Sequence, residues 1–168
     1  MPFSAPLVRI PWPAWAALLS AAMLATAHGF QHLGGYEPCP LCLRQREVYW
    51  GALAVAGAGL ILVRLRKAPL WTVSLLLGGV FVGGAIVAAF HAGVEWKWWP
   101  GPSTCSGLAA GAVEISDLVA ILDGAKVRAP ACDEAAWRLA GLSMAGWNAL
   151  VSAALAAVSF VVAAKERA

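Results

Sequence analysis

Four apolar stretches, at residues 12–30, 48–63, 70–90 and 144–164, leave this chain few folds to choose from. A hydrocarbon core about 30 Å thick needs about 20 helical residues to cross it. Three of the stretches meet that length. The second meets it only when started near Cys42 or Leu43, which draws Arg44, Arg46 and Glu47 onto the mouth of its helix. Helices are therefore expected at 12–30, 43–63, 70–90 and 144–164, with loops at 31–42 and 91–143. Composition closes off the other fold classes. The 168 residues are 61% apolar and 12% charged, against about 45–50% and about 25% in ordinary soluble domains. A soluble core of this size cannot hide so much apolar surface. Intrinsic disorder and a nucleic-acid-binding module both need far more charge. The expectation is an all-α membrane protein, a single four-transmembrane-helix bundle. Its walls are rich in small residues, as at 51–59, Gly78-Gly79 and Gly83-Gly84, which let helices approach closely in lipid.

The scarce charge orients the bundle, because Lys and Arg favour the cytoplasmic side. With both termini and the loop at 64–69 on one side, Arg9, Arg64, Arg66, Lys67, Lys165 and Arg167 face a single acid, Glu166. The opposite segments, 31–47 and 91–143, carry six basic and eight acidic groups. Both termini are expected in the cytoplasm. Arg9, the first apolar run and Ala25-Thr26-Ala27 also fit a cleavable signal peptide, but the run is longer than the usual core of about 7–15 residues. Both versions export the same segments.

All four cysteines lie in those exported segments: Cys39 and Cys42 in the first, Cys105 and Cys132 in the second. An oxidising compartment permits disulfides there, and four cysteines allow three pairings. Two structural staples are one reading. A Cys-x-x-Cys bridge closes almost no loop, however, and restricts an unfolded chain little, so it serves better as a redox pair. A four-cysteine zinc site is a third reading, and it would want a second close-spaced pair. His28 and His32 alone leave zinc two ligands short, and no metal is expected.

Position favours redox chemistry. A helix beginning near Cys42 places that sulfur at a positive helix end, with Arg46 one turn along the same face. Both effects stabilise a thiolate. Arg46 read alone is an interfacial arginine snorkelling to water. His91 sits at the exit of the third helix, at the level of Cys42 and Arg46, as a hydrogen-bonded helix-end residue or a donor to a bound acceptor. Ile115, Leu118, Val119 and Leu122 recur at helical spacing before Gly124, which predicts a short amphipathic surface helix in the second loop. It tethers a loop long enough for Cys132 to travel. Trp96, Trp98 and Trp99 read as an interfacial aromatic belt.

These residues carry a family resemblance. Phe30-Gln31-His32, Pro38-Cys39-Pro40-Leu41-Cys42 and Gln45-Arg46 resemble the first periplasmic loop of the DsbB family, disulfide bond formation protein B. The likeness continues at His91 to Glu95, Trp99 to Cys105, Cys132 with Trp137, and Leu142 to Asn148, over about residues 14–165. It implies a bacterial inner-membrane thiol oxidase that reoxidises a periplasmic DsbA-like protein and passes the electrons to a quinone, ubiquinone or menaquinone. It implies that the partner attacks a Cys105–Cys132 disulfide at Cys105, that Cys132 then attacks Cys39, and that the Cys42 thiolate donates to the quinone. Arg46 and His91 would line the quinone site. DsbA is already an oxidant at about −120 mV, so only a stronger acceptor can draw its electrons onward. Two alternatives stand beside this: a non-enzymatic scaffold with two permanent disulfides, and a vitamin K epoxide reductase-like oxidoreductase. The latter class places its loop pair before its Cys-x-x-Cys pair, the reverse of the order here.

Overall fold

The computed structural model describes residues 10–102, 105 and 132–168. Arg9, the expected surface helix around 115–122 and most of the second loop lie outside the described residues. Four long helices make up nearly all of the rest: α1 Trp12–His32, α2 Pro40–Arg64, α3 Leu70–Glu95 and α4 Met144–Arg167. They run up and down in chain order, with α3 packed most extensively on α4, then on α2, and α1 lying mainly against α2. Helices α2, α3 and α4 are long and apolar enough to cross a membrane. Helix α1 has the length but not the hydropathy, since Trp12, Pro13 and Trp15 open it and His28, Gln31 and His32 close it.

Two differences from the expected helix bounds matter to the cysteines. Helix α2 starts at Pro40 rather than near Cys42, with Cys39 as its N-cap. Proline suits the first helical position, because its φ is already helical and its missing N–H would have had no partner there. Helix α3 continues past residue 90 to Glu95, so His91 stands inside the helix rather than at its exit. Of the other ends, α1 extends by two residues to His32, α2 by one to Arg64 and α4 by three to Arg167.

A short hairpin enters α4. Strands β1, Arg138–Leu139, and β2, Leu142–Ser143, pair antiparallel through a two-residue turn at Ala140 and Gly141. Both turn residues have positive φ, 51° and 81°, the geometry that matches the twist of paired strands. Ser143 then caps α4, its hydroxyl accepting from the Gly146 N–H at 3.1 Å.

The core is built of small residues meeting large ones. Ala16, Ala52, Ala56 and Ala156 pack with Phe81, Leu77, Tyr49 and Leu155. Each glycine doublet of α3 presents one member to a neighbour. A Cβ on Gly78 would fall 2.6 Å from the Phe160 ring, and one on Gly84 would fall 2.9 Å from Val48, whereas Gly79 and Gly83 face open space. Outward, the bundle shows Leu18, Ile61, Leu76, Ile86, Leu150 and Val161, an apolar surface suited to lipid rather than water. The cysteines gather at one end. At the other end Arg167 lies over the Trp71 ring, 5.4 Å from its centroid, and Ser74 donates to Glu166 at 2.8 Å.

Candidate active site

The fold brings both cysteine pairs into contact. Cys105 and Cys132 are joined as a disulfide, and Cys39 and Cys42 are free thiols. Cys39, Cys105 and Cys132 are all buried, and they pack with Leu41, Val94 and Cys42 in one cluster at the mouth of the bundle.

The start of α2 sets the roles within the free pair. The Cys39 sulfur takes the N-cap position and accepts the Cys42 backbone N–H at 3.2 Å. The two sulfurs lie 2.9 Å apart, and the His91 Nε2 lies 3.7 Å from Cys39 Sγ. The hydrogen bond with the Cys42 thiol, together with the His91 imidazole and that backbone N–H, holds the Cys39 thiol well below the ordinary thiol range, against the opposing push of burial. The surroundings that favour a thiolate are thus built around Cys39. The expectation that Cys42 occupies the helix end rested on a later helix start, and Pro40 moves that end by one turn.

His91 is buried and has neighbours on every side. Gln45 Nε2 lies 2.7 Å from its Nδ1, Glu95 Oε1 lies 3.8 Å from its Nε2, and the Cys132 backbone also faces the ring. Gln45 accepts from Asn148 on α4 through its Oε1, Asn148 accepts from the Tyr49 hydroxyl, and Tyr49 meets Ser152 at 3.1 Å. Sequence reasoning assigned no role to Gln45, Tyr49, Asn148 or Ser152. A signal was present, since polar side chains at membrane depth are costly and seldom idle.

Arg46 lies on the wall of a cavity of about 350 Å³ shared with Cys42. Its hydrogen bonds run to α1, reaching Gln31 Oε1 at 2.6 Å and the Ala27 carbonyl at 3.1 Å. Arg44 points outward and pairs with Glu47 at 2.9 Å. His28 and His32 stack on one another, 5.8 Å between ring centroids. Met23, Phe30, Met144 and Val151 make the cavity mostly apolar, and its size suits a small-molecule site. Trp137 also lines it, with a buried indole N–H that has no partner among the described residues. Its ring lies 5.5 Å from Phe30.

Helices of membrane length, carrying a reduced Cys-x-x-Cys pair against a second, bonded pair, define an integral membrane thiol–disulfide oxidoreductase. Comparison with known sequences is specific. The family model for disulfide bond formation protein DsbB matches residues 9–162, and the chain belongs to that family. A disulfide bond formation protein B from Polaromonas sp. strain JS666 is 32% identical over 146 residues, covering 87% of this chain and 85% of its own. Relatives of the same name from Paracidovorax citrulli and Methylococcus capsulatus are each 32% identical, over 157 and 148 residues, covering 87% and 86% of this chain and 83% and 87% of their own.

Proposed function

We propose that the protein reoxidises a periplasmic DsbA-like dithiol protein and passes the electrons to a membrane quinone. The observation that carries this reading is that Cys42 and Arg46 line one mostly apolar cavity, with the Trp137 ring on its wall, while Cys39 packs in one cluster with the outer disulfide.

The exchanges balance as a series of thiolate displacements. The partner's thiolate attacks Cys105, forming a mixed disulfide and releasing Cys132 as a thiolate. Cys132 attacks Cys39 of an oxidised Cys39–Cys42 pair, and Cys42 leaves as a thiolate beside the cavity. The partner's second thiolate then closes its own disulfide and frees Cys105. Cys105 attacks Cys132, restoring the outer disulfide and releasing Cys39. The inner pair now holds two electrons taken from the partner. An intact outer disulfide over a reduced inner pair is the pairing present in the structure.

The cavity fits the headgroup of a quinone on chemical grounds. It offers apolar walls, aromatic faces at Phe30 and Trp137, and a donor at Arg46 for a carbonyl oxygen. A bound quinone accepts two electrons and two protons. Arg46 stabilises negative charge at that end of the cavity, and the apolar walls exclude water.

Placement follows from charge. Arg64, Arg66, Lys67, Lys165 and Arg167 gather at the end opposite the cysteines, which supports a reading with both termini in the cytoplasm, the cysteines in the periplasm and α1 as a fourth span of the bacterial inner membrane.

The test mixes purified protein, reduced partner and quinone, following quinone absorbance and trapping thiols by alkylation. Rapid quinone-dependent reoxidation of the partner is expected. Cysteine pairs that resist reduction and ignore quinone would overturn the reading.

A further inference from the structure

The residues behind His91 form a chain whose hydrogen bonds all point one way. Its anchor is Gln45, buried on α2. Gln45 Nε2 lies 2.7 Å from His91 Nδ1 and also 3.4 Å from the Leu41 carbonyl oxygen. That carbonyl decides which end of the amide is nitrogen, because an amide oxygen there would face another oxygen. Both Gln45 N–H groups are thereby used as donors, and Gln45 Oε1 is left to accept. Asn148 Nδ2 donates to it, and the Tyr49 hydroxyl donates to Asn148 Oδ1. With its proton so committed, the Tyr49 oxygen accepts from Ser152, 3.1 Å away.

At the other end, His91 Nδ1 receives the Gln45 N–H and must present a lone pair. A neutral imidazole with an acceptor at Nδ1 carries its proton on Nε2. Nε2 is the nitrogen 3.7 Å from the Cys39 sulfur. Glu95 Oε1, at 3.8 Å from the same nitrogen, is too far for a bond to oxygen, whereas the larger sulfur remains within reach. We propose that Gln45 and Asn148 are positioning residues: they hold His91 in its Nε2–H tautomer and so keep a standing donor on the Cys39 sulfur. Among the described residues, the hydrogen bonds of these two run to the Leu41 carbonyl, His91, Tyr49 and each other.

The same polarity bears on the metal question. Cys39, Cys42 and His91 place three ligand atoms within 4.8 Å of one another. A metal on Nε2 would require the proton on Nδ1, facing the Gln45 N–H. The chain therefore sets this triangle for sulfur chemistry rather than for metal. It also accounts for five buried polar side chains on α2, α3 and α4, each of which would be costly at this depth without a partner.

The consequence for catalysis rests on the exchange route proposed above, in which Cys39 is attacked and later released. The tautomer and the acidity of Cys39 do not rest on it. Groups that also act on this centre are Cys42 on α2, Glu95 on α3 with Arg138 facing it from β1, and Glu37, Arg46 and Glu134 around the cavity.

Two measurements on the full-length reduced protein in detergent test the proposal. Nitrogen NMR of histidine-labelled protein, with the His91 signals assigned by His91→Gln, is expected to show the Nε2–H form in the unsubstituted chain. Iodoacetamide alkylation of Cys39, resolved from Cys42 by peptide mass, gives its thiolate fraction against pH. Gln45→Met and Asn148→Leu keep side-chain size but remove the donors. Each is expected to mix the tautomers and lower Cys39 reactivity about tenfold on the acid side, an upward shift of about one pH unit. Ser159→Ala removes the Trp12–Ser159 bond at 2.9 Å and the Ser159 bond to the Leu155 carbonyl at 2.7 Å, neither of which belongs to this chain, and is expected to leave both readouts unchanged. An Nδ1–H form in the unsubstituted chain overturns the proposal even if the variants fail to fold. So does an unshifted profile in folded Gln45→Met and Asn148→Leu. A protein that shows the Nε2–H form but does not oxidise a partner thiol would instead overturn only the exchange route.

Discussion

Arg46 on α2 donates to Gln31 on α1 at 2.6 Å, so a guanidinium on the cavity wall is held by a neighbouring helix rather than by the cysteine one turn before it. A second bond, to the Ala27 carbonyl at 3.1 Å, fixes the plane of the group. Hydrogen bonds from a charged group contribute about 1.5–3 kcal/mol. Arg46→Ala is expected to weaken apparent quinone affinity by about 10–100-fold. Arg46→Lys keeps the charge but cannot make both bonds from one planar fork, and it should fall between the two. Steady-state quinone titration decides, and an unchanged affinity in Arg46→Ala would remove Arg46 from the site.

In the proposed route Cys105 and Cys42 serve opposite ends of the exchange, and separate assays should divide them. Cys105→Ala is expected to abolish mixed-disulfide formation with a soluble partner. Reoxidation of the Cys39–Cys42 pair by added quinone, after reduction with a small dithiol, should persist. Gel-shift alkylation follows both. Equal loss of the two activities would argue against this division of labour.

The acidity of Cys39 depends first on Cys42. Because its pKa is depressed in the folded protein, the thiolate persists above that low value and is lost only as pH falls through it. Cys42→Ala removes the largest contribution, so the pKa rises toward the ordinary thiol value of about 8.5. Cys39 alkylation at mildly acid pH should slow accordingly, with its midpoint displaced upward. An unmoved midpoint would show that the helix end and His91 suffice.

Gly93 leaves room for an indole. A Cβ there would lie 2.1 Å from the Trp99 ring, which stacks on Phe90 and donates to the Phe90 carbonyl at 3.0 Å. The ring cannot withdraw without breaking that bond. Gly93→Ala is expected to destabilise the protein by about 1–3 kcal/mol. Gly79→Ala, into open space, should be neutral or stabilising by up to about 1 kcal/mol, because alanine loses less freedom in a helix. Thermal denaturation in detergent compares the two, and equal melting temperatures would refute the contrast.

Much of the site was legible in the sequence as a set of residues. The cysteines, Arg46 and His91 all converge on one end of the bundle, as their positions along apolar runs imply. The start of α2 departs from the apolar run because that run marks where a helix enters lipid, whereas Pro40 marks where the backbone turns helical. One turn separates these, and it transfers the cap from Cys42 to Cys39. The hairpin before α4 left little trace, since two-residue strands carry no periodicity and Ala140 is an unusual residue at positive φ.

The sequence by itself determined the four helices, the end of the bundle at which the cysteines lie, and the oxidising chemistry open to them. Each follows from patterns within a few turns of chain. Only the tertiary structure decided that His91 faces Cys39, and that Gln45 meets Asn148 from 103 positions away. Those contacts depend on how α2, α3 and α4 are rotated about their axes, which small residues set by allowing backbones to close to contact distance. A rotation of one residue would point Gln45 at lipid, and no local pattern in the chain specifies that angle.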